Sequence, residues 1–158
     1  MTLRVRRNGV ADAGALALIF YRALRLGTAD IYTLAQRQDW APEVWTAAAY
    51  AAHLAPRETW VACRDADPVG FLSVEDGTHI DLLFVDPDHM RQGVALVIYH
   101  AMRATRATAR LTVEASPRSR AFFLRQGWCE TGRQLRGTGD AAVVNTLMTL
   151  DPGLGMAR

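Results

Sequence analysis

Ile80-Asp81-Leu82-Leu83-Phe84-Val85-Asp86-Pro87-Asp88-His89-Met90-Arg91-Gln92-Gly93-Val94-Ala95 is an apolar run that turns at a proline into a glycine-containing loop. Residues 80–85 are rich in strand formers, and Pro87, lacking an N–H, cannot continue a sheet ladder. Apolar positions then return at helical spacing at Val94, Val97, Ile98, Ala101 and Met102. The stretch therefore predicts a strand, a turn and a helix. Gly93 and Ala95 are small enough to let a ligand reach the main chain. The first turn of a helix offers unpaired N–H donors and the positive end of the helix dipole, so phosphate is the expected occupant.

A second stretch repeats the logic downstream. Leu111-Thr112-Val113-Glu114-Ala115-Ser116-Pro117-Arg118-Ser119-Arg120-Ala121-Phe122-Phe123-Leu124-Arg125-Gln126-Gly127-Trp128 reads as strand, turn, helix, then glycine and an aromatic. The two blocks, in this order and separation, resemble the GNAT acyltransferase superfamily. Val85-x-Pro87 followed by Arg91-Gln92-Gly93-Val94-Ala95 is similar to that family's acetyl-coenzyme A loop, Arg/Gln-x-x-Gly-x-Gly/Ala, with Met90 in the Arg/Gln place. The later block is similar to Asn-x-x-Ala-x-x-Phe-Tyr-x-x-x-Gly-Phe. Ser116 stands in the Asn place, Ser119 in the Ala place, Phe122 and Phe123 in the Phe-Tyr places, and Gly127-Trp128 in the Gly-Phe place. Two departures matter: Met90 removes a side-chain donor, and Phe123 cannot donate the proton that the family's Tyr often supplies.

The resemblance implies an α+β fold, a mixed and largely antiparallel sheet with helices on both faces, in the order βααβββαβαββ. It also implies an N-acetyltransferase that takes acetyl-CoA (acetyl-coenzyme A) as co-substrate and a primary amine of a small molecule or peptide as acceptor. Backbone groups at Leu83, Phe84 and Val85 are then expected along the pantetheine arm. Arg91, Gln92, Gly93, Val94 and Ala95 are expected around the pyrophosphate, and Ser116, Ser119, Phe122 and Phe123 beside the coenzyme. Tyr32, Gln36 and Trp40, from the connection after the first helix, are the expected acceptor surface, while Trp45 reads as core packing.

Proton transfer is where the residues leave alternatives open. Period-two alternation puts His79, Asp81, Leu83 and Val85 on one strand face, so His79 or Asp81 is the candidate base, directly or through water. Asp81 has a second candidate use, holding a cationic amine. The proton for the leaving thiolate is left to Ser116, Tyr32, Cys129 or water. A protein that binds acyl-coenzyme A with weak or no turnover is the alternative that Phe123 and Met90 suggest.

The rest of the chain sets bounds. Its 158 residues are 50% hydrophobic and 22% charged, which suits one domain with a sizeable core, expected over residues 1–150 with a mobile tail at 151–158. No apolar run reaches the roughly 20 residues of a membrane span, and the first residues lack the apolar core of a signal peptide, so a cytoplasmic location is expected. Two distant cysteines, Cys63 and Cys129, read as reduced, partly buried thiols, and four histidines without paired spacing predict no metal. All 18 basic residues are arginine; nine lie in 89–136 against two acids, whereas 65–88 holds seven acids and no arginine. A basic half suits a phosphate-rich ligand and an acidic half a cationic one. No basic run alternates with aromatics, so nucleic acid is not expected, and a homodimer is left open.

Overall fold

Strand-forming and helix-forming runs alternate along the chain, and in the computed structural model, which describes residues 2–153, they assemble around one seven-stranded sheet. The strands are β1 (Leu3–Arg7), β2 (Glu58–Arg64), β3 (Asp67–Glu75), β4 (His79–Val85), β5 (Leu111–Ala115), β6 (Cys129–Arg136) and β7 (Val143–Leu150). The helices are α1 (Ala13–Arg25), α2 (Leu34–Trp40), α3 (Ala47–Leu54), α4 (Val94–Ala104) and α5 (Arg120–Arg125). The sheet order is β1-β2-β3-β4-β5-β7-β6, with every neighbouring pair antiparallel except β4 and β5. This is the expected α+β architecture. The tail expected at 151–158 falls largely on residues outside those described.

Three helices, not two, separate β1 from β2. Thr33 opens α2 with a reciprocal cap, its hydroxyl accepting from the Gln36 N–H (3.1 Å) while the Gln36 side chain accepts from the Thr33 N–H (2.9 Å). The next helix starts at Ala47, although Pro42 also suits a helix N-terminus. The Thr46 hydroxyl accepts from the Ala49 N–H (3.2 Å), and this cap outweighs the aptitude of Pro42 for a first turn. Asp76 (φ 52°) and Gly77 (φ 77°) form the tight turn from β3 to β4, as the Asp-Gly pair predicts.

Each face of the sheet carries its own core. On one, α4 and α5 bury Val94, Ile98, Tyr99, Met102 and Phe123 against Leu72, Ile80, Leu111 and Val113. On the other, α1 and α3 bury Leu16, Ala17, Ile19, Tyr50 and Leu54 against Val61 and Phe71. Burying an aliphatic or aromatic side chain of this size contributes roughly 1.5–3 kcal/mol. In the first core the polar end of Trp128 is satisfied: its indole N–H donates to the Tyr99 hydroxyl at 2.9 Å. Gly70 allows the close approach of α4 to β3, since a Cβ there would stand 2.9 Å from Val94 Cγ1 and 3.2 Å from Ile98 Cδ1.

Two irregularities in β4 set the geometry at the middle of the sheet. Ser73 pairs with Leu82 but Val74 pairs with Ile80, so Asp81 is an extra residue in a β-bulge. The bulge breaks the period of two. Ile80, Leu83 and Val85 pack on the α4 side, whereas Leu82 and Phe84 pack on the α1 side. Asp81 meets Arg57, which also reaches the His53 carbonyl at the end of α3. His79 meets Thr112, a residue between the α4-side Leu111 and Val113. The expectation that His79 and Asp81 share a face with Leu83 and Val85 is therefore corrected. Second, β4 and β5 pair only at His79–Thr112 and Ile80–Val113. Beyond these two pairs the strands part, and a gap opens in the middle of the sheet.

Candidate active site

The gap exposes backbone that a continuous sheet would have paired. The Asp86 N–H donates to the Val69 carbonyl at 2.8 Å, so alternation along the strand turns the amides of Phe84 and Leu82 toward β3 and those of Leu83 and Val85 toward the gap. Of the three backbone positions expected there, Leu83 and Val85 offer their groups, and Phe84 spends its own on the ladder. The Phe84 side chain packs edge-on against Phe20, centroids 5.0 Å apart.

At the end of β4 the chain bends through a short 3₁₀ turn, Pro87–His89, capped by Asp86, whose carboxylate accepts from the Asp88 N–H (3.0 Å). Arg22 on α1 fixes this turn by donating to Asp86 (2.9 Å) and Asp88 (3.1 Å). Arg91 (φ 60°) and Gly93 (φ 80°) both take the left-handed conformation, and a Cβ added at Gly93 would meet nothing within 4 Å. Gly93 supplies no side-chain cap to α4. The first-turn N–H groups of Val94, Ala95 and Leu96 therefore lack helical partners, and the turn forms a concave set of donors suited to an anion. Met90 lies against the turn that follows α1: its sulfur would be 3.1 Å from a Cβ on Gly27. Gln92 is tied sideways, accepting from Arg64 (3.1 Å) and donating to the Asp88 carbonyl (3.3 Å).

Across the gap, Ser116 and Ser119 lock the turn into α5. The Ser116 N–H donates to Ser119 Oγ (3.0 Å), the Ser119 N–H donates to Ser116 Oγ (3.1 Å), and the hydroxyls lie 3.1 Å apart. Phe123 is buried, 5.1 Å from the Trp128 ring and 5.3 Å from Phe122. The segment between α1 and α2 straps over this turn, because Arg118 donates to the Gly27 carbonyl (2.9 Å) and pairs with Asp30. Tyr32 lies in the strap, buried, its ring edge-on to Trp40 at 4.8 Å. Its hydroxyl interacts with the Ser116 side chain and the Arg118 backbone N–H, while burial raises its pKa above the ordinary tyrosine value.

A cavity of about 750 Å³ runs through the gap from the anion turn to the far side of the sheet. Its walls include Leu83, Phe84, Val85, Arg91, Gly93, Val94, Ala95, Ser116, Ser119, Phe122 and Phe123, together with Asp81, Tyr32 and Trp40. Three expected residues are not among its walls: Gln92, His79 and Gln36. His79 Nδ1 is hydrogen-bonded to the Thr112 hydroxyl at 2.8 Å. Gln36 is occupied by its cap and by donating to the Ala142 carbonyl (3.1 Å). Cys129 is exposed and also lies outside the walls, and Trp45, expected in the core, is 39% exposed.

Two carboxylates flank the cavity. Asp81 accepts from Arg57 Nε at 2.7 Å. Glu114, which no sequence motif singles out, accepts from Arg136 (2.7 and 2.9 Å) and from Asn145 Nδ2 (2.8 Å). The Arg136 hydrogen bonds hold the Glu114 carboxyl below its ordinary pKa, against the opposing effect of burial. Asn145 Oδ1 is buried without a protein hydrogen-bond partner, beside Glu114. Alternation in β5 marks Glu114 as facing away from the α4 core, but its meeting with Asn145 and Arg136 depends on long-range pairing of β5, β7 and β6. Among the described residues, no three His, Cys, Asp or Glu side chains are grouped to hold a metal ion.

A family model for an acetyltransferase (GNAT) domain matches residues 28–144. Over 85% of its length the chain is 34% identical to the uncharacterized N-acetyltransferase YafP of Escherichia coli strain K12, covering 85% of that protein. It superposes with a TM-score of 0.85 on the crystal structure of a GCN5-related N-acetyltransferase from Rhodopseudomonas palustris, at 31% identity over 96% of each chain. YncA from Salmonella typhimurium, solved with its cofactor acetyl-CoA, has the same fold at 17% identity, with a TM-score of 0.67 over 96% of this chain and 94% of that one.

Proposed function

The chain belongs to the GNAT acetyltransferase family and is an acetyltransferase, and from that premise we propose that it moves an acetyl group from acetyl-CoA to a primary amine of a small molecule or peptide. The observation that carries the proposal is the gap between β4 and β5, with unpaired backbone donors along one edge and a concave set of N–H groups at its mouth. These fit the two parts of the donor: the turn at Arg91–Ala95 suits a pyrophosphate, and the free edge at Leu83 and Val85 suits the amides of a pantetheine arm. Donors aimed at a thioester oxygen also stabilise the charge that grows there during acyl transfer, typically worth about 10²–10³ in rate. Because these donors are backbone groups, Met90 in place of Arg or Gln leaves the anion turn complete.

On the acceptor side the proposal gives Asp81 the proton of the attacking amine, directly or through water. It stands in the cavity wall, whereas His79 does not. Glu114, kept ionised by Arg136, and the unpartnered Asn145 Oδ1 suit an ammonium group approaching the same cavity. Trp40 and Tyr32 add an apolar, aromatic wall.

The test is release of free thiol from acetyl-CoA across a panel of polyamines, aminoglycosides, amino acids and peptides with free N-termini. Amine-dependent release supports the proposal. Acetyl-CoA binding with no release for any amine favours the second reading, a binding module without turnover, which rests on the missing hydroxyl at Phe123.

A further inference from the structure

The leaving thiolate needs a proton, and the α5 residue standing where the family's tyrosine is expected, Phe123, is a buried hydrocarbon ring. A hydroxyl reaches the same region from another part of the chain. The register of the two paired residues, continued past the bulge, sets Leu83 opposite the end of β5 at Ala115 and Ser116. Ser116 is the residue against which the Tyr32 hydroxyl rests. Tyr32 is 7% exposed and belongs to the cavity wall. Its strap is pinned to the turn before α5 by Arg118, through the Gly27 carbonyl and Asp30. Among the described residues of this corner, no other combines a cavity-facing position with a proton that is both transferable and held in place. The Ser119 hydroxyl is occupied by Ser116, the Ser116 hydroxyl is left to meet the Tyr32 oxygen, and a serine hydroxyl is a much weaker acid than a phenol.

We infer that Tyr32 is the general acid of the transfer, donating its phenolic proton to the sulfur of the departing coenzyme; the inference rests on the acetyl-CoA proposal. In the step, the amine nitrogen forms a bond to the acetyl carbon and the carbon–sulfur bond breaks, with its electron pair leaving on sulfur. The Tyr32 O–H proton passes to that sulfur to give the thiol. The amine's proton goes to Asp81 or water, and the tyrosinate recovers a proton from solvent. The sum is thioester plus amine to amide plus thiol. The Arg118 N–H and the Ser116 hydroxyl stabilise the transient tyrosinate, while burial keeps the phenol protonated until the sulfur needs it.

The experiment compares coenzyme A with desulfo-coenzyme A by calorimetry at about pH 9, where a thiol is substantially ionised. A phenol donating to a thiolate makes a charge-assisted hydrogen bond, so the wild-type protein should prefer coenzyme A by roughly ten- to a hundredfold. Tyr32→Phe, which keeps the ring and its packing, should collapse that preference to near unity while leaving desulfo-coenzyme A affinity unchanged. In turnover, Tyr32→Phe should lower kcat by ~10²–10⁴ with little change in KM for acetyl-CoA, and adding Phe123→Tyr should restore part of it. A preference that survives in Tyr32→Phe, or an equal loss for both ligands, overturns the assignment. Failure of the wild-type protein to bind either ligand overturns the acetyl-CoA proposal itself, and this inference with it.

Discussion

Gly93 concentrates the requirements of the anion turn in one residue. It sits at φ 80° with open space where a side chain would be, so Gly93→Glu should fold, at a cost of about 1–2 kcal/mol for an L-residue in the left-handed region, yet place a carboxylate where phosphate is proposed to bind. Calorimetry on the folded variant is expected to detect no coenzyme A binding; unchanged affinity would move the site elsewhere. Asp81→Asn separates two uses of the carboxylate. Loss of a general base should lower kcat by ~10²–10⁴, whereas loss of a charge that only holds the amine should raise the acceptor KM and spare kcat. Both residues are legible in the sequence, because glycine at a helix start and an acid in an apolar strand stand out from their neighbours. Glu114 and Asn145 are not, since their meeting is set by which strands become neighbours.

At the scale of elements, α4 closes on β3 at Gly70, beneath Val94 and Ile98. Gly70→Val should push α4 away from β3, destabilising the fold by about 1–3 kcal/mol through overpacking. Because the first turn of α4 rides on that contact, coenzyme A affinity should fall in step. Urea unfolding and calorimetry on the same variant check the pair; weakened stability with intact affinity would mean that the anion turn is held by the Arg22 contacts alone. Most elements are readable from local signals, including the extent of β4 and the Asp76-Gly77 turn. The bulge is not. An extra residue leaves the composition of a strand unchanged and displaces only its alternation, so an argument from period two carries His79 and Asp81 to the wrong face. The start of α3 is ambiguous in sequence because Pro42 and Thr46 both suit a helix N-terminus, and the Thr46 cap together with the packing of α3 on α1 selects between them.

Across the whole molecule, acids of the segment 65–88 are met by arginines from earlier in the chain, and the basic segment 89–136 holds its own ion pair. Arg22 neutralises Asp86 and Asp88, Arg57 meets Asp81 and Glu75, and Arg136 meets Glu114. Ion pairs therefore knit β4 and the turn after it to α1 and to the connection between α3 and β2. Hydrogen bonds from Arg6, Arg106 and Arg136 hold Asp12, Glu58 and Glu114 below their ordinary pKa values of 3.8, 4.5 and 4.5. A carboxylate depressed on folding contributes stability that is complete above its unfolded pKa and is lost as pH falls through its folded one. Burial lowers His53 from its ordinary 6.5, so the same sign applies from that pH downward. Stability should therefore be level between about pH 6.5 and about pH 10, decline gently below about pH 6.5 and fall steeply below about pH 4.5, and it should fall again above about pH 10, where burial holds Tyr32, Tyr50 and Tyr99 protonated in the folded state. Urea midpoints measured against pH check this profile, and Glu114→Gln should flatten its acid limb; a wild-type profile that is flat down to about pH 3 would contradict it.

The break between β4 and β5 has a consequence for how such a protein can diverge. Donor recognition written into main-chain amides is indifferent to most substitutions, since every residue but proline carries the same N–H, and only a position such as Gly93 exposes it to a single change. The opposite mouth of the cavity is written in side chains, at Trp40, Asp81, Glu114 and Asn145, where each replacement alters shape or charge. Under the proposed assignment, mutational drift acts unequally on the two halves of the reaction: the acyl donor is inherited with the fold, and the acceptor is chosen by a handful of replaceable groups.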